Sequence, residues 1–178
     1  MSEEIKNVQK SSGDRALNIV GNVYLGKVAQ NASTEMLSIM KVISVLSVLS
    51  EGVADSREVS EKDIDKKLNN FSEFKEALKK EYSDLLPHYG SFYQEALKQS
   101  DISETTADKI AITLRRRSEE VLKESENNPI TALSKLTAKL IEHFEALPIK
   151  EDYDEAAVRF YLFNELVKCN IFPNPLEL

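Results

Sequence analysis

The chain has one cysteine, Cys169, so it can form neither an internal disulfide nor a cysteine-rich metal site. It has two histidines, His88 and His143, far apart and without the spacing of a zinc ligand set, which usually needs four ligands. Tryptophan is absent, and five prolines and five glycines are spread over 178 residues. Long apolar runs are missing too. The nearest approach, Met36 to Leu49, is interrupted by Ser38, Lys41, Ser44 and Ser47. It falls short of the roughly 20 residues needed to span a bilayer. The opening Met-Ser-Glu-Glu-Ile-Lys lacks the basic and apolar regions of a signal peptide. A cytoplasmic, reducing location is the expectation, with no membrane partner.

Positive charge is also in deficit. The net charge is −7 and the isoelectric point about 5.0, whereas a nucleic-acid binder needs a basic face to neutralise phosphates. A hydrophobic content of 42% and a charged content of 30% describe an ordinary globular chain long enough for one domain.

Three of the five glycines fall in one short N-terminal stretch. From Ser11 to Gly26 the sequence reads as short β-prone runs broken by turns, Leu17-Asn18-Ile19-Val20, then Gly21-Asn22, then Val23-Tyr24-Leu25. Runs this short do not make a stable sheet alone. Residues 1–32 are therefore expected to form an extended assembly head, pairing strand edges between copies through Leu17, Ile19, Val20, Val23 and Leu25.

Gly21-Asn22-Val23-Tyr24-Leu25-Gly26-Lys27-Val28 nearly spells a phosphate-binding P-loop. Val28 stands where a hydroxyl must reach Mg²⁺, and Val23, Tyr24 and Leu25 are too bulky for an anion-cradling nest. No helix is expected before about Thr34, so no helix N-terminus would face the phosphate. Turn-forming glycines account for the match, and no cofactor is expected.

Residues 33–178 read as helix. Met36, Ile39, Met40, Ile43, Leu46 and Leu49 repeat at helical spacing behind a Ser33 or Thr34 cap, and Gly52 is expected to end that helix. A short helix follows from Ser60 to Leu68. One from Ser72 carries Phe74, Ala77, Leu78, Tyr82, Leu85 and Leu86, is broken from Pro87 to Gly90, and restarts at Ser91. The next begins at Asp101 or Ser103 and turns Ala107, Ile110, Ala111, Leu114 and Ser118 inward. Asn127-Asn128-Pro129 stops one helix and starts another that runs to Leu147. The last, from about Tyr153 to Cys169, is apolar nearly all round and is buried within the chain or between chains. The fold class is all-α, a bundle of six or seven helices behind a β-like head.

No catalytic constellation emerges. His88 reads as an exposed turn residue, His143 as a partly buried one, and Cys169 as a small core hydrophobe. An enzyme would need the histidines and surface carboxylates to converge in three dimensions. Arg115-Arg116-Arg117 is the one basic cluster. Three consecutive helical residues fan over about 200° and cannot share one phosphate groove. A solvated face paired with Glu119 and Glu120 is one reading, and a docking patch for an acidic partner the other.

The closing Tyr161-Leu162-Phe163-Asn164-Glu165-Leu166-Val167-Lys168-Cys169-Asn170-Ile171-Phe172-Pro173 resembles the last helix of C-terminal domains in prokaryotic ABC-three-component conflict systems, related to Lamassu-type defence. The segment from Gln9 to Val23 is similar to strands that introduce such domains. The resemblance covers under a quarter of the chain and implies a non-enzymatic helical module that links an effector to an ABC-type ATPase, to a third component or to copies of itself. Family members commonly sit behind an effector domain. This chain, starting at its own methionine, is then expected to be free-standing, with the effector a separate polypeptide, or to be a different member of such an operon. The alternative is a nucleic-acid-associated regulator or antitoxin-like protein using Arg115 to Arg117.

Overall fold

The computed structural model describes residues 33–53, 71–146, 154–168 and 170–172. Among them there are five helices and no strand: α1 (Thr34–Leu49), α2 (Lys75–Gln99), α3 (Glu104–Glu124), α4 (Pro129–Glu145) and α5 (Glu155–Val167). The all-α class is thus shown. Residues 1–32, with Leu17, Ile19, Val20, Val23, Leu25 and the P-loop-like stretch, lie outside the described residues, as do the expected Ser60–Leu68 helix and Cys169.

Short polar side chains start four of the helices. Ser33 Oγ accepts from the Met36 amide at 3.2 Å, and Ser103 Oγ accepts from that of Thr106 at 3.1 Å. Asn128 Oδ1 takes the amides of Ile130 and Thr131, both at 3.1 Å, with Pro129 in the first turn. Asp154 Oδ1 accepts from the Ala156 amide at 3.0 Å. Each cap satisfies donors that a helix start leaves open. The α3–α4 turn closes without glycine, because Glu126 and Asn127 take positive φ and the Asn127 amide reaches back to the Leu122 carbonyl. Helix α1 ends at Leu49, before Gly52, through bonds from the Ser50 amide to the Leu46 and Ser47 carbonyls.

The break expected from Pro87 to Gly90 is absent, and α2 runs through both residues. Leu78, Tyr82, Leu85, Tyr89, Tyr93 and Ala96 stay in phase at steps of three and four across the proline. Packing of that one continuous face outweighs the hydrogen bond that Pro87 cannot donate. Two expected pieces are therefore one helix. Ala77, Leu86 and Ala107, expected inward, are exposed.

Helices α1 and α5 form the centre. The first packs against α2, α3 and α5, and α5 also packs against α2 and α4, while α3 lies along α4. Helix α5 buries Ala157 and Val158 and every residue from Phe160 to Phe163. The nearly uniform apolarity of this helix is explained by enclosure within the chain, with Val167 its large exposed apolar side chain. Phe160 is the hub. Its ring stacks on Tyr82 and Tyr89, with centroids 6.0 and 5.5 Å apart, and meets Tyr93 edge-on at 5.7 Å.

Candidate functional site

The arginine turn sits near the middle of α3. Leu114 and Ser118, fully buried on either side of it, fix the inner face of the turn. Arg116 is exposed and Arg115 and Arg117 are half-buried, which matches a fan rather than a single cationic groove. Arg115 Nε lies 3.4 Å from Glu119 Oε1, one helical turn on. Exposed pairs of this kind contribute about 0–1 kcal/mol. Arg116 is the exposed cation of the cluster.

A second polar group, inside the bundle, has no counterpart among the expected site residues. Arg159 projects from the mostly apolar α5 and grips Glu81 of α2 with two bonds, Nε to Oε1 at 2.5 Å and Nη2 to Oε2 at 3.1 Å. Its Nη1 donates to Ser134 Oγ on α4 at 3.3 Å, and its guanidinium lies 5.7 Å from the Phe163 ring centroid. One cation thus ties together α2, α4 and α5. Its signal in the sequence is a lone cation on a helix with no polar face, which burial forces into partnership.

Glu165, also buried, accepts from Lys168 Nζ at 2.9 Å and from Asn170 Nδ2 at 2.7 Å. Lys168 Nζ in turn donates to Tyr93 Oη at 3.0 Å. Nearby, the Tyr89 hydroxyl donates to Asp154 Oδ2 at 2.5 Å, so the carboxylate that caps α5 also holds α2.

These phenols keep their protons. Burial, then the Glu165 charge, pushes Tyr93 up to about 12. Burial and the Asp154 hydrogen bond raise Tyr89, and burial raises the enclosed Tyr161. Burial works to lower Lys168, but Glu165 and Tyr93 outweigh it and leave its pKa raised. A phenol held protonated at neutral pH is a poor general base, so the Tyr93–Lys168 pair reads as structural cross-bracing.

A pH dependence follows with a definite sign. A folded pKa raised above the unfolded value gives stability that is complete below the unfolded pKa and lost as pH climbs through the folded one. For the tyrosines the loss starts above 10.0 and extends to about 12 for Tyr93. Lys168 acts in the same direction above 10.5. Stability is expected to fall steeply above pH 10. Spectrophotometric titration of the six tyrosines should show Tyr89, Tyr93 and Tyr161 ionising late and together with unfolding. Six ordinary midpoints would contradict this.

Both histidines, His88 on α2 and His143 on α4, are exposed. His143 was expected to be partly buried, but the inward stripe of α4 is taken by Leu133, Leu136, Leu140 and Phe144. Among the described residues no three His, Cys, Asp or Glu side chains lie close enough together to hold a metal ion. No described helix is long and apolar enough to cross a membrane. A surface hollow of about 210 Å³ lined by Phe71, Ser72, Glu73, Phe74 and Asn127 is smaller than the roughly 300–1,000 Å³ of typical ligand pockets. No protein-family model matches the chain, and no curated protein or solved structure matches it.

Proposed function

We propose that the chain is a non-enzymatic interaction subunit of a prokaryotic defence system of the ABC-three-component type, linking an effector to an ABC-type ATPase and assembling with copies of itself. The resemblance of Tyr161–Pro173 and Gln9–Val23 supports the family part of this reading. In it the chain works in the cytoplasm. Residues 1–32 are the extended assembly segment, and 33–178 a helical body whose sixth helix is supplied by residues 60–68.

One observation carries the docking part. Arg115–Arg117 is a basic turn whose base is pinned by the buried Leu114 and Ser118, on a chain of net charge −7. The backbone of this turn needs no ordering when it meets an acidic partner, and its charge favours encounter with that partner.

The test is the double variant Arg116→Glu/Arg117→Glu, which spares the Arg115–Glu119 pair. The chain is co-expressed with the proteins encoded beside its gene, and capture of the ATPase or effector is measured. Capture is expected to weaken about tenfold or more, with helicity unchanged. Undiminished capture would remove the arginines from the interface. A salt-dependent gel shift abolished by the same variant would instead favour the nucleic-acid-associated regulator or antitoxin-like reading.

A further inference from the structure

Among the described residues, every buried or half-buried cation but one has a partner. Arg159 is held by Glu81, Lys168 by Glu165 and Tyr93, Arg115 by Glu119, and Lys135 by the Glu124 carbonyl. Lys41, Lys75 and Lys109 are engaged as well. The exception is Arg117, half-buried on α3 and joined to none of the described residues by a hydrogen bond, ion pair or ring contact. Its N–H donors are left to water or to a group from outside the chain.

Helical spacing accounts for this setting. Ile110, Leu114, Arg117, Val121 and Glu124 follow one another at steps of three and four along one flank of α3. Ile110, Leu114 and Val121 are buried, and Glu124 bonds Lys139 of α4 at 2.8 Å. Arg117 therefore lies on the flank that packs along α4. A long basic side chain so placed lays its methylene stem on apolar neighbours and keeps its charged head at the water's edge. Arg116, about 100° away round the helix, is exposed.

We infer that Arg117, and not the exposed Arg116, is the anchor of the basic turn, and that it takes a single carboxylate of a protein partner. This rests on the interaction reading above. Arg116 must surrender the freedom of a fully solvated stem to hold one geometry, whereas packing has already ordered part of the Arg117 stem. Binding energy concentrates in arginines whose surroundings exclude water. The planar guanidinium matches a carboxylate with two parallel bonds. A run of phosphates fits less well, because Glu120, exposed and three residues on, repels a dense polyanion more than a single charge. Arg116 then acts on encounter with the partner, and Arg117 on how long the complex lasts.

NMR of the arginine Nε–H groups in the full chain tests the anchor, with the α-amide of N-acetylglutamate as carboxylate probe and inorganic phosphate as the other. Arg116→Lys and Arg117→Lys assign the two signals by their loss. At equal ionic strength the carboxylate is expected to move the Arg117 signal about twice as far as that of Arg116, or more. An equal or larger response at Arg116 would overturn the anchor, and a larger response of Arg117 to phosphate would overturn the carboxylate. Dissociation of the ATPase or effector encoded beside the gene gives a second readout. Arg117→Lys keeps the charge but loses the fork, and is expected to speed dissociation about fivefold or more. Arg116→Lys should change it by less than about twofold. Equal rates for the two variants would contradict the anchor while leaving the interaction reading in place. Undiminished capture by Arg116→Glu/Arg117→Glu would sink that reading instead, whatever the carboxylate does to the Arg117 signal, so the two fail separately.

Discussion

Replacing Phe160 with alanine is expected to destabilise the fold by about 3–5 kcal/mol, lowering Tm by roughly 6–20 °C in a chain of this size. Three physical terms act in the same direction. The ring is buried at the crossing of α2 and α5, so its removal leaves a cavity that neighbouring backbone cannot fill. Its partners Tyr82, Tyr89 and Tyr93 all come from α2 and lose their shared face at once. Each such aromatic pair contributes about 0.5–1.5 kcal/mol beyond buried area, and the three are coupled through one ring. Phe160→Leu keeps most of the volume and is expected to cost much less than the alanine change. Thermal or urea unfolding followed by circular dichroism measures both. A loss below about 1 kcal/mol for Phe160→Ala would mean that this crossing does not anchor the bundle.

The second large effect concerns Arg159. Arg159→Met leaves the Glu81 carboxylate without its bidentate partner and removes the link to Ser134. Breaking a fully buried pair costs about 3–5 kcal/mol. The Arg159 side chain is 11% exposed but that of Glu81 is 34% exposed, and water reaching the orphaned carboxylate reduces the penalty to roughly 2–3 kcal/mol. The double variant Arg159→Met/Glu81→Leu is expected to recover most of this, since apolar replacement of both partners removes the unpaired charge. A double-mutant cycle isolates the coupling. Additive single effects would show that the two side chains do not act as a pair.

Much of the helical fold was legible in the sequence because its determinants are local. Ser33, Ser103, Asn128 and Asp154 cap the helices they precede, and the apolar stripes of α1 and α4 face inward as their spacing indicates. Pro87 misled because proline and glycine three residues apart are strong local breakers. The non-local evidence pointed the other way, in the unbroken phase from Leu78 to Ala96. Helical phase records which face is buried, and burial on Phe160 decides whether a poor local residue is tolerated.

The polar interior was harder to read. Arg159 and Glu165 are partnered by Glu81, 78 residues away, and by neighbours beyond the helix end. Their sequence context shows that partners are needed without showing which. The arginine turn on α3 was legible as a cluster, but its pinning by Ser118 depends on the Phe172 amide, 54 residues on. The assembly head, Leu17 to Leu25, lies outside the described residues and stands on its turn-and-strand pattern alone.

Light scattering on the full chain and on residues 33–178 is the most direct test of the proposal that this is a self-associating interaction module. The full chain is predicted to show a whole multiple of its 20.1 kDa mass, and the shortened chain a single-chain mass with its helicity retained. A full chain that is monomeric, or a shortened chain that keeps the same multiple, would contradict assembly through residues 1–32.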